Sequence, residues 1–344
     1  MLGRVRGAFI AGPIYDAVMF IAAPAIALAL GVAIAGTPLA DDEVVLWGRA
    51  GTVTSIFLGA FVMAHLVLVA VRSHLNRQIF ARYPGRFVAV PLALWFLLCA
   101  SDWALACAIV LTVWWDVVHS SLQTFGLGRI YDARNGNPPE LGRRLDLGLN
   151  LLLYAGPIVA GATLLEHLSP LAAFERVGAV VFRRVPIAAE AYQGAIARAV
   201  LVGGAIYLVV YVLGYVRLAR QGYRVSPQKV ALLALTGACS IYTWGFNSFG
   251  EAFFIMNFFH AWQYFGLVWW SERKNLRRRL GLDTARWGGA AALVLMVGVA
   301  GGYGLWAELV DSREQRVALA VTLVVSLMHF WYDGFIWSVR RREV

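Results

Sequence analysis

Residues 103–128 read WALACAIVLTVWWDVVHSSLQTFGLG, an apolar run whose one charged residue is Asp116. A helix of these 26 residues rises about 39 Å, more than the roughly 30 Å of a bilayer's hydrocarbon core. The run is continuously apolar, which suits a spanning helix; a barrel strand would alternate polar and apolar residues. Nine further runs of similar character stand at 17–36, 51–71, 87–101, 147–165, 199–216, 230–249, 252–271, 288–307 and 317–339. The run 87–101 is the shortest and contains Pro91; it suits a tilted span or a hairpin with 103–128 around Ser101 and Asp102. The expected fold is all-α: one polytopic integral membrane helix bundle over 1–344 with about ten transmembrane helices.

Composition agrees with that reading. The chain of 344 residues is 60% hydrophobic and 15% charged with mean hydropathy +0.66, against about 25% charged for a soluble domain. Such a chain excludes disorder as well as a water-soluble fold. Its 13 Trp and 34 Gly fit closely packed membrane helices with aromatic ends. Cys99, Cys107 and Cys239 lie inside apolar runs with no CxxC spacing, so neither a disulfide framework nor a cysteine metal site is expected. The net charge of +10 is not gathered into a soluble domain, and no nucleic-acid partner is expected.

The basic residues instead mark topology. With the N-terminus inside, 23 of the 30 Lys and Arg fall in inner segments, among them Arg72, Arg129, Lys229 and the run Arg277, Arg278 and Arg279. The seven outer ones include Arg49, Arg313 and Arg316. That bias predicts both termini on the cytoplasmic side, in a bacterial plasma membrane. Asp16 and the length of the first run favour a retained helix over a cleaved leader. One outer connection is long, 166–198, and reads as a loop or interfacial flap. The chain carries no nucleotide-binding glycine loop.

Four of six histidines fall within these runs: His65, His119, His260 and His329. An ionisable side chain at membrane depth is costly and marks a candidate site; the plain alternative is a hydrogen bond between helices. Counted back from the inner boundary, the four lie at about 10, 15, 20 and 16 Å, a single slab. Each has polar company at helical spacing: Asp116 and Gln123 with His119, Asn257 and Gln263 with His260, Asp333 with His329. Such neighbours orient a metal-bound imidazole, and Asp116 and Asp333 are candidate ligands in their own right. The competing role for either aspartate is a bond to a nearby Arg or Trp N–H. Histidine with carboxylate suits iron, zinc or manganese. His74 reads as a solvated or cavity-mouth residue, and His167 as an ordinary surface residue.

Trp114, Trp262 and Trp331 flank the histidines and can line a flat pocket for a polyene, quinone or sterol-like molecule, or serve as packing. Trp269, Trp270 and Trp337 read as interface belt. The segments His119–Gln123 and His260–Gln263 each precede Phe-Gly-Leu, an echo that fits either a parallel duplication or chance.

The histidine-bearing stretches, with the terminal run His329-Phe-Trp-Tyr-Asp333, resemble bacterial polytopic carotene-cleaving dioxygenases over about four of the ten helices. The resemblance implies iron held by His65, His119, His260 and His329. The chain departs from that family in having more helices and a long outer loop, and it lacks the HxxH and HxxxH pairs of membrane desaturases. The leading expectation is a non-haem iron oxygenase or oxidoreductase acting on a lipophilic substrate. In it, Asp116, Asp333, Gln123 and Gln263 orient ligands or relay protons. The alternatives are a haem-b protein exchanging electrons with quinone or a donor protein, its histidines as axial ligands, and a proton-coupled transporter with His and Asp as relay.

Overall fold

The computed structural model describes residues 8–310 and 315–337. Arg4, Arg6, Arg313, Arg340, Arg341 and Arg342, counted above for orientation, lie outside the described residues. Among the described residues the chain is all-α apart from one hairpin. Each of the ten apolar runs coincides with a helix: α1 Ala23–Ile34, α2 Val53–Val67, α3 Pro84–Ala100, α4 Asp102–Arg134, α5 Arg143–Ala160, α6 Gln193–Arg220, α7 Pro227–Phe246, α8 Phe249–Arg279, α9 Gly288–Leu309 and α10 Arg316–Ile336. A short helix, Val69–Ser73, continues α2 beyond Leu68.

Six helices among the described residues are long and apolar enough to cross a membrane, or up to eight if each of two bent pairs forms one span. One pair is Pro13–Ile21 with α1, bent by 56°; the other is α5 with Leu164–Val177, bent by 101°. That is fewer than the ten runs suggest. Helix α3 has only 17 residues. Helix α8 is long, but Asn257, His260, Gln263 and its Trp and Tyr residues dilute its apolar content.

Local chemistry sets the helix ends. The side chains of Thr52, Asn76, Ser101 and Ser226 accept N–H bonds at helix starts, satisfying donors that have no intrahelical partner. Ser101 is the extended hinge between α3 and α4, and Arg316 clasps that corner through Asp102 at 2.5 Å and the Leu98 carbonyl. Asp16 accepts from the backbone N–H of Ile10, Ala11 and Gly12 and from the Tyr131 hydroxyl. That carboxylate is therefore an N-terminal cap, fully buried.

Contacts divide the chain into two compact units. The first unit is the chain up to Ala29 with Val113–His260, and so contains α5, α6, α7, most of α4 and the start of α8. Here α5 packs on α6 and α7. At Gly161 a side chain would meet the Trp244 carbonyl at 2.6 Å, so glycine lets the end of α5 touch the end of α7. The connection expected at 166–198 is built of short helical turns, Leu164–Leu168, Ser169–Val177, Val180–Arg183 and Arg184–Ala191.

The second unit is Leu30–Thr112 with Ala261–Trp337. Its tightest contact is α2 on α9, where Gly304 lets the backbone approach Ala60 and Ala64. Ala64, Leu68, Tyr264, Val268, Leu276, Ala292, Met296 and Ala300 form its core. The strands β1 Glu43–Leu46 and β2 Arg49–Thr52 pair antiparallel ahead of α2. Trp47 and Gly48 turn between them, both with positive φ, the two-residue turn that suits strand twist.

Candidate metal centre

In the second unit, α2 presents His65 and α10 presents His329, both fully buried. Their ring centres are 5.0 Å apart at 81°, with ring nitrogens within 4.8 Å. His65 Nδ1 bonds to the Val62 carbonyl, and His329 Nδ1 bonds to the Leu66 carbonyl at 2.9 Å. A carbonyl oxygen only accepts, so each Nδ1 carries the hydrogen and each Nε2 carries the lone pair. A metal-binding imidazole has this arrangement, its second nitrogen donating to a backbone carbonyl.

His329 Nε2 stands 3.8 Å from Asp333 Oδ2 one helical turn on. With Nδ1 protonated, a lone pair faces a carboxylate oxygen there, an arrangement that a shared proton or cation relieves. A cation about 2.1 Å from each donor separates them by about 3.0 Å at a right angle and about 4.2 Å in a straight line. Two imidazoles sharing one ion at right-angled to tetrahedral angles place their ring centres about 4.5 to 5.2 Å apart. Each separation taken by itself falls within these ranges, so His329 fits a small metal ion with His65 or with Asp333 as a pair, while the three donors do not all lie within 4.8 Å of one another.

The other carboxylate oxygen is held from behind. Asp333 Oδ1 accepts from the Tyr264 hydroxyl and from Trp337 Nε1, each at 2.9 Å. The two roles offered for Asp333, ligand or Trp partner, thus fall on its two oxygens. The Tyr264 ring lies 4.6 Å from His329 and 5.9 Å from His65. Trp337 is not merely belt, because the Arg72 guanidinium stacks 4.0 Å from its ring. Arg72 also pairs with Glu272 at 2.6 Å and donates to the Ile336 carbonyl. Asn76 and Asn275 complete the shell around Glu272.

In the first unit, His119 and His260 form a second pair, ring centres 5.1 Å apart at 85°, both buried. Gln123 Nε2 donates to the His260 carbonyl at 3.1 Å, so the two echoing segments meet. Asn257 turns to its own helix, donating to the Phe253 carbonyl. Asp116 is half-buried and makes no hydrogen bond to a described residue. Gln263 is buried in the second unit. The structure thus brings the four histidines together as two pairs, one within each unit.

The tryptophans are placed differently from one another. Trp114 lies 6.0 Å from the His167 ring, Trp331 packs on Phe335 at 5.5 Å, and Trp262 is half-buried on α8. His167 is not a surface residue: it is buried at 3% exposure among Trp114, Trp244 and Phe249, with Nδ1 on the Thr163 carbonyl. Packing of the connection's first helix inward hides it, which hydropathy alone does not reveal. His74 is exposed and bonds to Ser73 and the Phe87 carbonyl.

Sequence reasoning missed a buried charge cluster in the first unit. Lys229 Nζ lies 2.8 Å from Asp132 and 3.0 Å from Asp146, and Arg129 binds the same two carboxylates at 2.7 and 2.6 Å. Tyr211 and Tyr215 donate to Asp146, and the Lys229 stem passes over Gly128. Burial first, then the Asp132 carboxylate, raises the Tyr223 hydroxyl above the ordinary phenol range. Arg72, Arg129 and Lys229 are therefore ion-paired interior residues rather than loop charges. The one local signal was Asp132 three residues after Arg129 on the same helix; other partners lie 17, 97 and 200 residues away.

Comparison with family models, with curated proteins and with solved structures returned no match to this chain.

Proposed function

We propose that the chain is an intramembrane, metal-dependent oxidoreductase that uses non-haem iron on a lipophilic substrate. The observation that carries this reading is the opposition of the His329 Nε2 lone pair and Asp333 Oδ2 beside His65, whose Nδ1 is likewise committed to a carbonyl. Imidazole with carboxylate suits ferrous iron with positions left open. Bound there, iron supplies the electron-transfer and dioxygen chemistry that side chains lack. His119 and His260 form a second pair of imidazoles at a similar ring separation.

The chain's own groups have separable roles. His329 would hold the ion, with His65 or Asp333 as its second ligand. Tyr264 and Trp337 fix the carboxylate through Oδ1, and Arg72 with Glu272 fixes Trp337 and the end of α10. Long apolar helices carry the site in a bilayer with both termini cytoplasmic, and a quinone or donor protein supplies electrons. Trp262 and Trp331, in the same unit as His329, are candidate substrate contacts. The resemblance to carotene-cleaving dioxygenases points to a polyene-like substrate.

Pair geometry weighs against haem b. Axial imidazoles on opposite faces of one porphyrin place their ring centres about 6.4 Å apart, whereas both pairs here are near 5 Å. Metal analysis with an optical spectrum of the detergent-purified protein tests the reading. About one or two equivalents of iron per chain without a Soret band supports it. A Soret band supports the haem reading, zinc or manganese moves the chemistry away from oxygenation, and a metal-free protein favours a proton-coupled transporter.

A further inference from the structure

The buried charge cluster lies at one end of a polar seam through the first unit. From Asp132, Asp146 and Lys229, the helices α4, α5 and α7 carry small polar residues at increasing and matching distances along their axes. Asn150 lies about 6 Å on, Thr124, Tyr154 and Thr236 about 10 to 12 Å, Ser121 and Ser240 about 16 Å. The register is fixed by observed contacts: Arg129 and Lys229 bind both carboxylates at one level, and Thr124 meets the Tyr154 hydroxyl at 2.7 Å eight residues further. Phase agrees, since Asp146, Asn150 and Tyr154 recur every four residues on one helical face.

Four buried atoms along this seam have no hydrogen-bond partner among the described residues: Ser121 Oγ, Asn150 Oδ1, Thr236 Oγ1 and Ser240 Oγ. Their side chains are at most 1% exposed. Native interiors satisfy nearly all such groups, and buried water is the usual partner where polar atoms cluster. The four are spread over about 10 Å on three packed helices, which suits a file of small molecules better than one compact ligand.

We infer that this seam is an internal water file giving protons access from the Lys229–Asp132–Asp146 cluster to the depth of Ser121, two residues from His119. Along such a file each oxygen releases one hydrogen as it receives another, so no oxidant or reductant is consumed. The inference stands whether or not the histidines hold a metal.

Cys239 supplies the probe, because it lies in the seam's helix between Thr236 and Ser240, is 2% exposed, and its Sγ donates to the Pro24 carbonyl. The full chain carrying C99A and C107A is placed in nanodiscs and transferred to heavy water, and loss of the Cys239 S–H stretch is followed by infrared. A hydrated seam exchanges this thiol within minutes, and Thr236→Val with Ser240→Ala slows exchange by about tenfold or more, since a dry interior exchanges only through local opening. Ser121→Ala alone slows it in the same direction and serves if the double variant does not fold. A thiol that keeps its hydrogen for hours, or one that exchanges equally fast in the folded seam variants, overturns the inference.

Discussion

Asp333 lies one helical turn beyond His329 and points one oxygen, Oδ2, at its Nε2 from 3.8 Å, while Tyr264 and Trp337 hold the other oxygen. The carboxylate is thus presented to the imidazole in a fixed orientation. Asp333→Asn keeps the shape and the contact to Trp337 but removes the charge. Metal affinity should fall by about 10- to 100-fold or more, read by chelator competition on the purified protein. Unchanged affinity would remove Asp333 from the site.

Tyr264→Phe tests positioning without touching a proposed ligand. It deletes the hydroxyl bond to Asp333 Oδ1 and leaves the ring beside His329. Metal affinity should drop by about tenfold, while the unfolding midpoint moves little. A purely structural tyrosine gives the reverse pattern, a lower midpoint with metal affinity intact.

Arg72 and Glu272 form an ion pair whose side chains are 4% and 3% exposed. Arg72→Met strands the Glu272 carboxylate, and the expected loss is about 3 to 5 kcal/mol of stability. Pairing it with Glu272→Leu removes the stranded charge and should recover most of that loss. Denaturant titration of the three proteins checks both statements, and equal instability of single and double variants contradicts them.

Lys229→Met leaves Asp132 and Asp146 with Arg129 as their only ion partner among the described residues. The cost should again be about 3 to 5 kcal/mol, and adding Asp132→Asn should relieve part of it. Thermal unfolding in nanodiscs measures both.

His167 gives a control of a different kind. His167→Ala opens a void among Trp114, Trp244 and Phe249, so stability should fall by about 1 to 3 kcal/mol. Metal content per folded chain should stay at the wild-type value.

Hydropathy was enough to read the helices, since each of the ten apolar runs, such as 103–128, coincides with a helix. It was also enough to mark the histidines as costly. It did not reveal which histidines meet. His65 pairs with His329, and His119 with His260, through helix rotation and packing that depth along an axis does not encode. Nor did it separate Lys229 and Arg72 from loop charges. A cation near a helix end looks the same in sequence whether it faces water or a carboxylate 97 or 200 residues away. The Trp337 N–H bond to Asp333 was among the expected alternatives, whereas the Arg72 guanidinium on its ring was not. The hairpin at Glu43–Thr52 escaped notice because its turn is Trp-Gly rather than the usual Asn-Gly or Asp-Gly.

The most direct measurement is iron per folded chain in wild type, His329→Ala and His167→Ala, purified side by side. Two of the six histidines are compared, both buried and both with Nδ1 on a backbone carbonyl. Loss of iron in His329→Ala with full occupancy in His167→Ala is the predicted result. Equal iron in all three, or none in the wild type, would contradict the assignment of His329 as a ligand.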